Sequence, residues 1–413
     1  MASLSKVLID TMEAADILGF QDQVSSNWSD IAANITVLNT GGDRPITIEF
    51  EGFEATVIVK QADVVLNTYP LEAPQSLQPD PLADLDFYAS ATAANGPGMT
   101  YSIFSIDSAQ LQQSGCESFS YFRQAAEPYS RAPYYQFSEQ SNDLYAFNNG
   151  TNPAYTFLTG HGGYLQTFIH GFVGHRTRTD RFYVDPNLPP QLEEGLVVTG
   201  MKYQGNIFDV TLGANESVIS MRSGSGQAKV EVSSANAKGG NFTLTQGQNI
   251  TVPTRRVDLN PPAVSGNIAQ CKTTTTNATW TPGNFDIAAV DGSNATFWQS
   301  TTNETAELSV DLGSTQNFSR LLINWGNNPA MSMQAFAGDD LSSLTQVVNA
   351  AQVQISAPWD AATASQIMLR NGNVTDINLS QPASGRYVQL VIQGAMVPNE
   401  FGHGATVAEF SVI

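Results

Sequence analysis

The sequence predicts a multidomain α + β protein, in which a helical segment with long loops is followed by two separate all-β units. Three observations carry that prediction. Apolar residues recur at helical spacing before about residue 180 and at every second position after about residue 195. Two breaks, Pro186-Asn187-Leu188-Pro189-Pro190 and Asn260-Pro261-Pro262, divide the chain. Its 413 residues, 41% of them hydrophobic, suffice for several cores at roughly 100–200 residues per domain. The expected units are 1–185, 186–258 and 259–413.

In the first unit, Leu4, Val7, Leu8, Met12 and Leu18 fall near helical spacing, so residues 3–18 read as an amphipathic helix. Further helices are expected over 22–34, 81–90, 100–111, 116–126 and 163–171. Val57-Ile58-Val59 reads as a short strand or a buried turn. The loops are rich in aromatics, as in Ala132-Pro133-Tyr134-Tyr135-Gln136-Phe137. Long aromatic loops on a helical frame suit a sugar pocket, because the C–H faces of a pyranose stack on rings.

In the second unit the period becomes two. Val197, Thr199, Met201 and Tyr203 alternate with Val198, Gly200 and Lys202, and Phe208, Val210, Leu212 and then Phe242, Leu244 repeat the pattern. Glycine turns at 204–206 and 239–240 make this a small antiparallel sandwich. The third unit holds longer stripes: Leu308, Val310, Leu312; Leu321, Ile323, Trp325; Val388, Leu390, Ile392; and Ala408, Phe410, Val412. Strands spread over about 150 residues fit one sandwich domain.

Composition narrows the function. Lys plus Arg total 18 and Asp plus Glu 38, so the net charge is −20. That disfavours nucleic acid and anionic membrane as partners, since both are bound through Lys and Arg. No apolar run approaches the roughly 20 residues that span a bilayer. Only 14% of residues are charged, which leaves a surface of Ser, Thr, Asn, Gln and Gly, common in secreted carbohydrate-active proteins. Glycosylation acceptors stand at Asn27, Asn34, Asn149, Asn215, Asn241, Asn249, Asn277, Asn294, Asn303, Asn317, Asn373 and Asn378, which favours a secretory route. Met1-Ala-Ser-Leu does not read as a signal peptide, and the apolar stripe starts almost at once, so the expectation is a sequence that begins inside a larger domain. Cys116 and Cys271 are expected as two separate buried thiols. They fall in different predicted domains, and pairing needs Cα atoms within about 7 Å.

The terminal unit resembles the discoidin-like (coagulation factor V/VIII type C) domain. The residues concerned are Ala289-Val290-Asp291-Gly292-Ser293-Asn294-Ala295-Thr296-Phe297-Trp298, Val310-Asp311-Leu312-Gly313, Arg386-Tyr387-Val388-Gln389-Leu390 and Val407-Ala408-Glu409-Phe410. The resemblance implies a jelly-roll β-sandwich and glycan or cell-wall binding through loops at one end. It also implies a structural calcium near Asp291 and Glu409, whose hard oxygens suit that ion. Trp298 is expected in the core.

The first 255 residues resemble the C-terminal part of fungal acid trehalases, a glycoside hydrolase family shared with maltose and kojibiose phosphorylases. The matching blocks are Val59-Lys60-Gln61-Ala62-Asp63-Val64-Val65, Asn67-Thr68-Tyr69-Pro70-Leu71, Gly96-Pro97-Gly98-Met99-Thr100-Tyr101, Arg131 through Gln140, Thr159-Gly160-His161-Gly162-Gly163, Leu188-Pro189-Pro190 and Gly200 through Gly205. The resemblance implies that 1–185 is part of an (α/α)₆ barrel and that the small sandwich lies behind it.

Residue by residue, it implies that Lys60 and Gln61 hold glucose hydroxyls, for which an ammonium donor and an amide donor–acceptor are suited. It makes Glu139 the general base that activates water. Inverting hydrolysis needs such a carboxylate about 6.5–9.5 Å from the acid that protonates the leaving oxygen. The aromatic loop before Glu139 is expected to raise its pKa by desolvation. Thr159, Gly160, His161, Gly162 and Gly163 match the turn where phosphorylases cradle phosphate. Here they are expected to hold the attacking water and orient Glu139, with His161 as a supporting hydrogen-bonding group behind them.

The family's acid motif, of Asp-Glu-Tyr type, is absent from this sequence. The expected function is therefore inverting hydrolysis of α,α-trehalose to glucose by an N-terminally truncated portion that lacks its general acid. No cofactor is required for that chemistry. The expected location is outside the cell, in the wall or the vacuole. A phosphorylase is disfavoured because Glu139 would repel phosphate. The alternative is a non-catalytic fragment that binds carbohydrate or cell wall through its last domain.

Overall fold

The computed structural model describes residues 2–61, 63–93, 96–148, 150–355, 367, 373–397 and 401–413; the acceptor Asn149 lies outside them. Helices and sheets occupy separate stretches of the chain, in the predicted order.

Among the described residues the first unit holds six α-helices: α1 (Ala2–Leu18), α2 (Trp28–Asn34), α3 (Pro81–Ala91), α4 (Thr100–Leu111), α5 (Glu117–Gln124) and α6 (Leu158–Gln166). Helix α3 begins with Pro at its first position, where a missing N–H costs nothing, and Asp80 caps it by accepting from the Ala83 N–H at 2.8 Å. Its core gathers Phe53, Val59, Val65, Leu85, Phe87, Tyr88, Tyr101, Phe104, Tyr121, Tyr129 and Phe137. Two expectations need correction. The span 22–34 is broken into a 3₁₀ turn and the short α2, and Val57–Val59 yields only an isolated bridge from Val59 to Thr92. The stripe of α1 also does not face a core. Its buried residues are Ala2 and Ser5, whose hydroxyl donates to the Ala32 carbonyl, whereas Leu4, Val7, Ile17 and Leu18 are exposed. Amphipathicity reports that a helix has an apolar face; it does not say that the same polypeptide segment covers that face.

Two short strands, β1 (Ser130–Arg131) and β2 (Gln136–Phe137), form a hairpin that carries the aromatic loop. The small sandwich has a three-stranded sheet of β3 (Phe182–Val184), β7 (Gln227–Val232) and β8 (Gly240–Thr245). Facing it is a four-stranded sheet of β4 (Leu196–Tyr203), β5 (Asn206–Leu212), β6 (Glu216–Ser223) and β9 (Asn249–Pro253). Strand β3 lies before the break at 186 and pairs in parallel with β7. In β4 the alternation slips at Gly200, whose φ of +79° makes a bulge, and its N–H donates to Asp209. Val197 is therefore exposed while Phe208, Val210 and Leu212 are buried.

The last unit is a β-sandwich. A six-stranded sheet runs in the order β10 (Thr273–Thr276), β12 (Ala306–Asn324), β15 (Val374–Gln393), β13 (Ser332–Gly338), β14 (Thr345–Gln352), with β17 (Glu409–Val412) added to β12. The pair β11 (Trp298–Gln299) and β16 (Thr406–Val407) completes it. Apart from Ala408, the residues of all four predicted stripes and Trp298 share one core.

This domain is bolted to α5. Cys116 and Cys271 form a disulfide, with Cα atoms 5.9 Å apart, rather than two thiols. Sequence distance hid the pairing because the Asp291 turn brings the two domains together: the Cys116 N–H donates to the Asp291 carbonyl at 2.8 Å. Ser120 donates to the Asp291 carboxylate, Ser293 donates to Glu117 at 2.7 Å, and the Arg123 guanidinium lies 4.0 Å over the Phe285 ring.

Candidate active site

The hairpin of β1 and β2 places Glu139 just past β2, where the chain continues pairing with 154–157. The Glu139 N–H donates to the Ala154 carbonyl at 2.9 Å, and Phe157 N–H to the Phe137 carbonyl at 2.7 Å. Across the site, Gly96 leaves room for the backbone of Lys60, since a Cβ there would meet the Lys60 carbonyl at 3.1 Å. Lys60 Nζ therefore reaches Glu139 Oε1 at 3.2 Å, while Oε2 accepts the Ala154 N–H at 3.0 Å. The hairpin is held from outside. Arg131 makes a forked pair with Asp143 at 2.6 and 3.1 Å and also donates to the Gln140 carbonyl, and Ser138 donates to Asp143 at 2.6 Å. The Arg131 guanidinium keeps the Asp143 carboxyl below its usual range.

The electrostatics reverse one expectation. The Ala154 N–H and then Lys60 hold the Glu139 carboxyl below its ordinary value, and desolvation is outweighed because the group is only partly buried. Tyr134 and Tyr135 of the loop are exposed rather than packed over it.

Lys60 and Glu139 line a hollow of about 390 Å³ with Gln140, Asn148, Thr151, Asn152 and Pro153. That volume lies at the small end of ordinary ligand pockets. Gln61 lies in a second hollow, of about 200 Å³, with Thr100, Ser102, Thr159 and Gly163. The structure thus joins Lys60 to Glu139 and Gln61 to two residues of the 159–163 segment, in separate hollows. Larger hollows of about 690 and 610 Å³ lie beside α1 and between the first and last domains, and hold none of these residues.

The 159–163 segment is the first turns of α6 rather than a loop. Two of its three glycines serve close packing, while a Cβ on Gly162 would meet nothing within 4 Å. A Cβ on Gly160 would meet the Phe137 ring at 3.1 Å, and one on Gly163 would meet Ser102 Oγ at 2.5 Å. His161 lies in neither hollow. Its ring stacks on Phe137 at 4.5 Å, Nδ1 lies 3.0 Å from the Phe157 carbonyl, and Nε2 accepts the Phe137 N–H at 3.3 Å. With Nε2 accepting from Phe137, Nδ1 is the nitrogen placed to donate to the Phe157 carbonyl. It props the hairpin and does not touch Glu139.

In the last domain, Asp291 and Glu409 are both buried. Asp291 accepts from Ser120, Thr296 and the Ser293 N–H, and Glu409 from Asn267 and the Gly292 N–H. Among the described residues, no group of three or more His, Cys, Asp or Glu could hold a metal, and neither carboxylate has a Lys or Arg partner. Burial pushes both pKa values up, that of Asp291 to about 8.

Sequence reasoning missed Arg131, Asp143, Asn148 and the Ala154 N–H. The polar run Ser141-Asn142-Asp143 held the one signal, an acidic residue in a loop 12 residues after Arg131.

A partly buried carboxylate, an exposed ammonium and amide groups thus meet beside an aromatic loop. Residues 175–236 match the glycosyl hydrolase family 65 C-terminal domain, and residues 267–409 match the F5/8 type C domain. Over most of its length the chain is similar to acid trehalases. It is 31% identical to the acid trehalase of Emericella nidulans, over 98% of this chain and 42% of that protein. It is 32% identical to a cell wall acid trehalase of Arthroderma benhamiae, over 94% of this chain and 41% of that protein. The chain thus spans less than half the length of these relatives. Among solved structures, a chitosan-binding module from Paenibacillus sp. IK-5 is similar at 24% identity and a TM-score of 0.27, covering 36% of this chain and 98% of the module.

Proposed function

We propose that this chain supplies the water-activating side of an inverting hydrolysis of α,α-trehalose. The observation that carries the reading is the Lys60–Glu139 pair at 3.2 Å on the wall of a small polar hollow. A base must be ionised to act, and Glu139 is held ionised. The pair is largely exposed on the Lys60 side, so it contributes little stability, and a sugar hydroxyl can take the place of one partner at little cost. Lys60 donates to glucose hydroxyls, Glu139 takes the proton of a water attacking the anomeric carbon, and Gln61 with Thr159 and Gly163 borders the neighbouring hollow.

Departure of the second glucose requires an acid. No Asp-Glu-Tyr motif stands in this sequence. We assign that role to a complementary helical segment, which would cover the exposed stripe of α1 and complete an (α/α)₆ barrel. The greater length of the relatives and the exposure of Leu4, Val7, Ile17 and Leu18 support this. The glycosylation acceptors, and relatives whose names place them in the cell wall, support a location outside the cell or in the vacuole. No described helix is long and apolar enough to cross a membrane. In the last domain we propose a calcium at Asp291 and Glu409, two buried carboxyl groups whose hard oxygens suit the ion and which it would hold ionised. A melting temperature equal in calcium and in chelator would remove it.

The test is binding and turnover of trehalose together. Saturable binding, and glucose release that does not depend on phosphate once the complementary segment is supplied, support the reading. Phosphate-dependent formation of glucose 1-phosphate would overturn it. Binding without turnover in any combination favours the second reading, a carbohydrate-binding fragment, which the missing acid motif supports.

A further inference from the structure

Asn294 opens the tripeptide Asn294-Ala295-Thr296, one of the glycosylation acceptors, and it lines the hollow of about 610 Å³ between the first and last domains. None of the other described acceptors lines one of the four hollows given above. A neighbour fixes the orientation of its amide. Asn324 Oδ1 accepts the Gly326 N–H at 2.9 Å, so Asn324 Nδ2 is the donor that meets Asn294 at 2.8 Å, and the atom receiving it is Asn294 Oδ1. Asn294 Nδ2, the atom that carries an N-linked glycan, has no hydrogen-bond partner among the described residues, and the residue is exposed.

The hollow offers what a neutral sugar uses. Leu82 and Pro261 supply apolar surface, and its volume falls in the range of ordinary ligand sites. Three amides in its wall are each committed at one atom. Gln112 Oε1 accepts from Ser108 at 3.4 Å, Gln113 Nε2 donates to the Leu111 carbonyl at 3.0 Å, and Asn260 Nδ2 donates to the Gln113 carbonyl at 2.7 Å. That leaves a donor on Gln112 and acceptors on Gln113 and Asn260, a set that matches an acetamido group and sugar hydroxyls. Asp86 and Glu117 also border the hollow, and the bordering Arg44 is paired with Asp80 and Asp86, so an anionic occupant is disfavoured. N-acetylglucosamine is uncharged. Gln112 and Gln113 follow α4, Asn260 and Pro261 form the break before the last domain, and Asn294 belongs to that domain, so one occupant touches all three. A glycan attached at the rim needs only weak contacts, because the bond to Asn294 keeps its first residues at high effective concentration.

We infer that Asn294 carries an N-linked glycan whose first N-acetylglucosamine residues fill the interdomain hollow and brace the last domain against the first. The brace adds to the Cys116–Cys271 bond and the Asp291 contacts, which join the same two domains. The inference is independent of the reading of Glu139 and rests on that of a secretory route.

The experiment uses the full chain made in two ways: secreted from a eukaryotic host that adds N-glycans, and in a bacterial periplasm, where none is added and the disulfide still forms. Glycopeptide mass spectrometry of the secreted protein is expected to find Asn294 occupied. On the folded protein, an endoglycosidase that cuts between the two core N-acetylglucosamines should trim Asn294 at least about tenfold more slowly than the exposed acceptors Asn215 and Asn249, and denaturation should remove the difference. That measurement needs no variant. Asn294→Gln should then lower the melting temperature of the secreted protein by about 2–4 °C more than that of the periplasmic protein, in which it removes only the bond to Asn324. An unoccupied Asn294 beside other occupied acceptors overturns the inference and spares the secretory route. Equal trimming at the three sites, or an equal melting loss in both preparations, overturns it as well. A secreted protein with no occupied acceptor overturns both.

Discussion

Glu139 works, in this account, because two donors hold it ionised: the Ala154 N–H and the Lys60 ammonium. A base is lost when it gains a proton, so turnover should fall as pH drops through the carboxyl's folded pKa. That pKa lies below the ordinary 4.5, so the acid limb of kcat/KM should lie below pH 4.5 and move up in Lys60→Met. A pH–rate profile checks both. His161 has a different task from the one its glycine-rich surroundings announce. Its ring and both nitrogens are committed to Phe137 and Phe157. His161→Ala should therefore lower stability by about 1–3 kcal/mol in denaturant unfolding, by leaving the Phe137 N–H without its acceptor. Lys60 and Glu139 were legible in the sequence only through the blocks around them. The direction of the Glu139 shift was not, since a backbone donor fifteen residues away in sequence decides it and leaves no mark on composition.

The element that matters most is the hairpin with its return strand. Its strands are two residues each, too short to be stable by themselves, so side chains must fix it. Arg131, Asp143 and Ser138 do so from the outside, and His161 from beneath. Asp143→Ala should cost less than about 1 kcal/mol of global stability, because the pair is partly exposed. Its effect on turnover should be larger, at about tenfold or more, because Glu139 loses its fixed position; parallel melting and kinetic measurements separate the two. Long periodic elements such as α4, β12 and β15 were legible, because burial repeats along them. The hairpin was not, because aromatic content signals a loop without giving its pairing. Helix α1 was legible as a helix but not in its packing, because its apolar face points away from the described core.

At the scale of the molecule, the last domain is a fixed part of the body rather than a tethered module. The Cys116–Cys271 bond closes a loop of 155 residues, and Asp291 is shared between its own turn and α5. Replacing Cys271 by Ser should cost about 2–5 kcal/mol and split one calorimetric transition into two, because the domains then unfold separately. The passage from helices to strands was readable from the change of period, but the docking of the sheets on the helices was not, because the surfaces that meet carry the same Ser, Asp and Gln found elsewhere on the chain. The central claim, that Glu139 activates water at an anomeric carbon, is tested most directly with α-D-glucosyl fluoride, whose fluoride departs without needing a proton from a general acid. The account predicts that the chain releases β-glucose first, by NMR, and that Glu139→Gln lowers the rate by about 10²–10⁴. Release of α-glucose, or an unchanged rate in the variant, would contradict it.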